Sequence, residues 1–154
     1  MSDARWLEIE ASIASAVRHF AAAAEIFDTC RSDTEGLQAY LAEMGFMHAM
    51  QAAHTSFEAA LIGILNLFGE EPPSRAQWHA DLIRRVSRVV NGRPPILSDA
   101  LAGAANETRQ FRHVAARAYD DFDWQRAARA VGYARQLAAD LPEAISRFRR
   151  AIDP

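Results

Sequence analysis

At 154 residues, 50% of them apolar and 24% charged, the chain has the makeup of one folded domain, residues 1–154, with a core of useful size, and not of a disordered segment. No run of about 18 apolar residues exists, so no helical membrane span is expected. The formal net charge of −3 excludes broad, nonspecific attachment to nucleic acid, while leaving room for a local phosphate site.

The amino-terminal run Ser2-Asp3-Ala4-Arg5-Trp6-Leu7-Glu8 is charged and amphipathic, unlike a signal peptide. A lone cysteine, Cys30, rules out an internal disulfide and fits a reducing compartment, so a cytoplasmic location is expected. All 17 basic residues are arginine. Arginine presents a planar, two-pronged donor set that suits phosphate better than a lysine ammonium does. Nine of them fall between Arg109 and Pro154, against six acids, so the basic character is concentrated late in the chain.

The periodicity is helical throughout. A first helix is predicted from about Asp3 to Cys30, with Leu7, Ile13, Val17, Phe20, Ala24 and Phe27 at helical spacing. Ser32-Asp33-Thr34-Glu35 reads as a capping box opening a second helix, which runs to about Phe68 before Gly69-Glu70-Glu71-Pro72-Pro73. Ser74 to Gln77 caps a third helix that should end at Asn91-Gly92. A fourth opens at Ser98 and reaches about Tyr119. Asp123 caps a fifth, expected to break near Leu141-Pro142 and to finish around Ile152. The expected fold is therefore all-α, an up-and-down bundle of about five helices with one long central helix.

The second helix carries two stripes. Phe46, Met50, Ala53, Phe57, Ala60, Ile64 and Leu67 are unbroken apolar. The other begins with Leu37, Tyr40, Met44 and Met47, turns polar at Gln51, His54 and Glu58, and resumes at Leu61, Leu65 and Phe68. Polar groups inside an apolar stripe need partners if they are buried. Three readings stand: a satisfied core hydrogen-bond network, a supporting shell that holds arginines of the fourth helix, or an exposed polar face.

Other chemistries leave little trace. There is no glycine-rich phosphate loop and no nucleophile elbow. The histidines lack metal spacing, His48 and His54 lying about 120° apart around one helix. No metal and no cofactor is expected. Asp120, Asp121 and Asp123 sit between two helices, where capping accounts for them better than Mg²⁺ does.

The fourth helix holds the densest cluster. Arg109, Arg112, His113 and Ala116 follow i, i+3, i+4 and i+7 and so share one face. Cationic groups this close repel unless acids or an anion compensate. Either Glu58, Glu107 or the acids after Tyr119 pair with them, or the face is a phosphate clamp.

The run Phe111-Arg112-His113-Val114-Ala115-Ala116-Arg117-Ala118-Tyr119-Asp120-Asp121-Phe122-Asp123-Trp124 resembles the signature of HepT-like HEPN proteins, which is Arg, a polar residue, three more residues, His, any residue and Tyr, often with an acidic turn after it. Similarity extends to Trp78-His79 and Arg93-Pro94-Pro95-Ile96-Leu97-Ser98, covering about Ala52 to Arg126. The resemblance implies a helical bundle that pairs as a homodimer and joins two signatures into one metal-independent endoribonuclease site. It implies Arg112 as the phosphate-binding arginine, His113 as the adjacent polar residue and Tyr119 as the motif tyrosine, while Arg109 and Arg117 are further candidates to bind phosphate on their own chemistry. It also implies a cognate nucleotidyltransferase antitoxin as partner, with Tyr119 the position that would receive nucleotides. One departure stands out. The family's catalytic histidine falls at Arg117, and an arginine stays protonated where a general base is needed. Cleavage is therefore expected to be attenuated or lost, unless His113 has taken over proton transfer. The alternative is a non-catalytic subunit that binds a nucleotidyltransferase or a nucleotide.

Overall fold

In a computed structural model the described residues are 4–30, 35–117 and 122–153, excluding the side chains of Cys30 and of residues 112–117. They form five helices: α1 Ala4–Cys30, α2 Gly36–Leu67, α3 Trp78–Val86, α4 Asp99–Arg117 and α5 Trp124–Ile152. The architecture is the expected all-α bundle, and α2, at 32 residues, spans roughly 48 Å as its long central helix.

Four long helices make a ring in which every neighbour is antiparallel. Ser15 of α1 meets Ser56 of α2 at 2.8 Å, while Cβ-less Gly45 and Gly63 of α2 face Ile26 and Ile9 of α1. Glu10 and Asp28 at the two ends of α1 pair with Arg149 and Arg135 of α5. Glu107 of α4 takes both prongs of Arg129 of α5, at 2.9 and 3.1 Å. Finally α4 closes against α2, with Thr108 beside His54 and Phe111 beside Phe46. Side chains from all of these helices meet in one apolar core, which includes Phe20, Phe46, Met50, Phe57, Leu61, Leu137 and Leu141. No helix among the described residues is long and apolar enough to cross a membrane.

Local signals explain most of the boundaries. Ser98 Oγ accepts from the backbone N–H of Leu101 at 3.2 Å, and Asp123 Oδ1 from that of Gln125 at 2.8 Å, so both are N-caps as expected. At the end of α2, Gly69 takes the left-handed conformation at φ +67°, and N–H groups of Gly69 and Glu70 return to Asn66 and Leu65 carbonyls at 3.1 and 3.0 Å. That pair of bonds satisfies carbonyls a helix end would otherwise orphan.

Three expectations need correction. The second helix begins at Gly36 with Glu35 as an N-cap whose side chain makes no capping bond; Ser32, Asp33 and Thr34 of the expected box lie outside the described residues. The third helix covers only Trp78–Val86, with no side-chain cap from Gln77. Past it the chain turns back through Asn91 (φ 48°) and Gly92 (φ 81°), so that Val90 and Arg93 exchange backbone bonds at 3.1 and 2.8 Å. An Asn-Gly pair suits a turn with positive φ at both positions, and β-branched Val89 and Val90 favour the extended approach to it. Last, α5 runs unbroken through Pro142. Buried Leu141, Ile145 and Phe148 anchor the helix on both sides of the proline, so tertiary packing outweighs the missing hydrogen bond there.

The turn after α3 delivers Arg93 into the protein. Its side chain is 2% exposed and the carboxylate of Glu70 9%. The guanidinium Nε and Nη2 donate to the two Glu70 oxygens at 2.5 and 3.2 Å. Further N–H groups reach the carbonyls of Pro94 at 2.9 Å and of Arg88 and Arg85 at 3.4 Å. One buried fork thereby ties the α2 terminus, the end of α3 and the approach to α4.

Candidate functional site

The helix that carries the motif is held at three heights. Its amino terminus is capped by Ser98 and follows Ile96 and Leu97, whose N–H groups bond the Val86 carbonyl at 2.7 and 3.2 Å. Its middle is fixed by Thr108. Farther along, Phe111 packs edge-on against Phe46 with ring centroids 5.3 Å apart. Phe46 also meets Phe122 and Trp124, so this aromatic cluster grips the chain both before and after the motif.

Helix α4 remains regular through Arg117, which places Arg109, Arg112 and His113 on one face of its backbone. The side chains of Arg112, His113 and Arg117 lie outside the described residues, as does the whole of Tyr119. The side chain of Arg109 is described. Its Nε donates to Asn106 Oδ1 at 3.3 Å, and it lines an open cleft between α3 and α4.

The polar interruption of α2 is buried, with His54 at 0% and Glu58 at 4% exposure, and Gln51 is half-buried. His54 Nε2 lies 2.6 Å from Thr108 Oγ1, and the threonine hydroxyl donates to the Ala105 carbonyl at 3.0 Å. A hydroxyl has one proton to give, so the imidazole must be the donor and carries its proton on Nε2. Phe20 and Phe57 approach the same ring edge-on, with centroids 5.9 and 5.7 Å away. One turn along α2, Glu58 Oε2 bonds His79 Nδ1 of α3, and His79 stacks on Trp78 at 3.7 Å. The two polar groups thus orient the two helices that wall the cleft: His54 sets α4, and Glu58 sets α3.

These partners decide part of the question left by the sequence. His54 and Glu58 belong to a buried hydrogen-bonded seam, which removes the exposed-face reading. Whether they also reach Arg112 or Arg117 falls outside the described side chains. Glu107, one of the acids considered as a partner for the arginines of α4, is instead taken by Arg129 of α5. Among the described residues no group of three metal-type donors comes together.

Sequence reasoning missed Thr108 and the pairing role of His79. Thr108 had a legible signal: it continues the buried row Leu101, Ala104, Ala105 and Phe111 along α4, the one hydroxyl in an apolar face. It also missed Arg84 and Arg88, which line the cleft opposite Arg109. In the sequence they read as ordinary solvent-facing charges.

A family model for HepT-like proteins matches residues 45–152. The chain belongs to the HepT-like family. The match runs from within α2 to the end of α5, so this HepT-like protein has its polar seam, cleft and motif helix within the family's span, and α1 precedes it. No curated protein and no solved structure matches the chain.

Proposed function

We propose that this HepT-like protein binds RNA through the arginines of α4, as the homodimeric scaffold of a metal-independent endoribonuclease in a bacterial toxin–antitoxin or defence module, with cleavage attenuated or lost. The observation that carries the reading is the unbroken course of α4 from Arg109 to Arg117, with Arg109 opening on a cleft. Arginine forks at i and i+3 on that face suit the non-bridging oxygens of a phosphodiester.

Cleavage without a metal requires a base to take the proton of the ribose 2′-hydroxyl as its oxygen attacks phosphorus, and an acid to protonate the leaving 5′-oxygen. An imidazole titrates near neutrality and can do both. The guanidinium of Arg117 stays charged and can only hold phosphate or stabilise developing charge. His113 is the remaining imidazole in the motif. It lies about 100° around the helix from Arg112, so its participation needs convergence from a second copy of the chain.

Arginine at position 117 also favours a second reading, a subunit that binds a nucleotidyltransferase partner or a nucleotide without cutting RNA. Under it Tyr119 is the position for nucleotide transfer. Incubating RNA in EDTA with the wild type, Arg117→His and His113→Ala separates the two. The attenuated-scaffold reading expects little or no cutting by the wild type and cleavage restored by Arg117→His. Robust wild-type cleavage abolished by His113→Ala would show that proton transfer has moved to His113. Silence in every variant, including Arg117→His, favours the binding subunit.

A further inference from the structure

Helices α3 and α4 run antiparallel, and the cleft of about 470 Å³ between them is polar and cationic. Arg84 of α3 and Arg88, just past its end, line one wall, and Arg109 lines the other beside Asn106 and Gln110. The sole carboxylate among the lining residues is Asp99, at the start of α4, which puts it toward the Arg88 end of the cleft and roughly 15 Å along α4 from Arg109. Local concentration of cations on a chain of net charge −3 calls for an explanation.

The arginines are poorly compensated. Arg84 has Asp81 at 3.0 Å, an exposed i, i+3 pair that competes weakly against a phosphate. Among the described residues no carboxylate pairs with Arg88 or Arg109. The wall behind them is nonetheless fixed. Ser87 Oγ donates to the Arg84 carbonyl at 2.9 Å, and the buried Arg93 donates to the Arg88 carbonyl at 3.4 Å. Guanidiniums with at most one exposed carboxylate partner among the described residues, on a fixed backbone, are suited to an anionic ligand that repeats along its length.

We infer that the α3/α4 cleft is a track for the sugar–phosphate backbone of single-stranded RNA, in which Arg84 and Arg88 bind phosphates next to the one held by α4. This rests on the RNA-binding reading above and adds to it two residues and a direction. Arg109 and Arg112 are i and i+3 on the regular backbone of α4, so a strand leaving the cleft past Arg109 would reach the motif face.

The test is fluorescence anisotropy of a labelled single-stranded RNA titrated at several salt concentrations. Proteins compared are the wild type, Arg84→Ala/Arg88→Ala, Arg112→Ala and a control, Arg135→Ala/Arg150→Ala, on exposed parts of α5. Arg84 and Arg88 are exposed, so their replacement spares the core; a thermal melt of each protein verifies this. Removing two phosphate contacts should weaken binding to unrelated sequences alike and lower the slope of log K against log salt by about 1.4. The control should keep the wild-type slope. Wild-type affinity and slope in Arg84→Ala/Arg88→Ala, with Arg112→Ala weakened, would overturn the track and leave the RNA-binding reading intact. Absence of RNA binding by the wild type would overturn both. Displacement of RNA by polyglutamate at equal charge concentration would mean a generic anion surface and would also overturn the track.

Discussion

Replacing Arg93 with alanine tests whether the turn after α3 is built around a buried charge. Arg93 and Glu70 are 2% and 9% exposed, and the fork donates to both carboxylate oxygens and to three backbone carbonyls. Removing one partner of a buried pair typically costs about 3–5 kcal/mol, because the other charge is left desolvated and uncompensated. The carbonyl of Pro94, bonded at 2.9 Å, adds about 1 kcal/mol, while the two bonds at 3.4 Å add little. A total near 5 kcal/mol is a large share of the 5–15 kcal/mol that holds a domain together. For a chain of this size it corresponds to a Tm lower by roughly 10–20 °C. Thermal and urea melts followed by circular dichroism measure it. Arg93→Met/Glu70→Leu, which removes both charges, should recover more than half of the loss. A loss under about 1 kcal/mol in Arg93→Ala, or a double variant as unstable as the summed singles, would refute the argument.

Thr108→Val keeps the shape but leaves the buried Nε2–H of His54 without its acceptor, so urea melts should show a loss of about 1–3 kcal/mol, with Thr108→Ser near wild type; equal stability of the valine variant would contradict the bond. Gly132 is exposed in α5 with nothing within 4 Å of an added Cβ, so Gly132→Ala should stabilise by about 0.5–1 kcal/mol. At Gly63 an added Cβ would meet Ile9 Cγ1 at 2.9 Å, so Gly63→Ala should destabilise by about 1–3 kcal/mol as α1 is pushed from α2, and a gain there would show that the helices yield freely. Burial, then Arg18, then the His48 ring at 6.2 Å hold the His19 imidazole below its ordinary value of 6.5. The unfolded chain therefore takes up that proton first, and the stability present above about pH 6.5 declines as pH falls below it. His19→Gln should flatten the dependence of Tm on pH between about 7 and 5; an unchanged slope would exclude this contribution.

Features written in a few adjacent residues were legible in advance. Ser98 and Asp123 cap their helices as their side chains suggest, and Gly69 ends α2 with the bonds its φ allows. Features that depend on distant partners were not. Pro142 looked like a break because the rule for proline is local, whereas Leu141 and Ile145 are held by the core. The early end of α3 depends on Arg93 finding Glu70, 23 residues away. His54 and Glu58 stood out as polar positions in an apolar stripe, but Thr108 lies 54 residues from its imidazole partner. Arg84 and Arg88 gain meaning only once α3 lies beside Arg109. The motif itself was visible as residue types, since Arg112, His113 and Arg117 are a chemical pattern independent of packing.

The most direct test of the central claim is the affinity of purified wild type and Arg112→Ala for a labelled single-stranded RNA, with the Tm of both taken in the same buffer. A phosphate clamp on α4 predicts that Arg112→Ala binds at least tenfold more weakly, as loss of a charge-assisted hydrogen bond of about 1.5–3 kcal/mol requires, with Tm unchanged. Unchanged affinity together with a large fall in Tm would show that the arginines of α4 serve an ion-pair network, and would contradict the account.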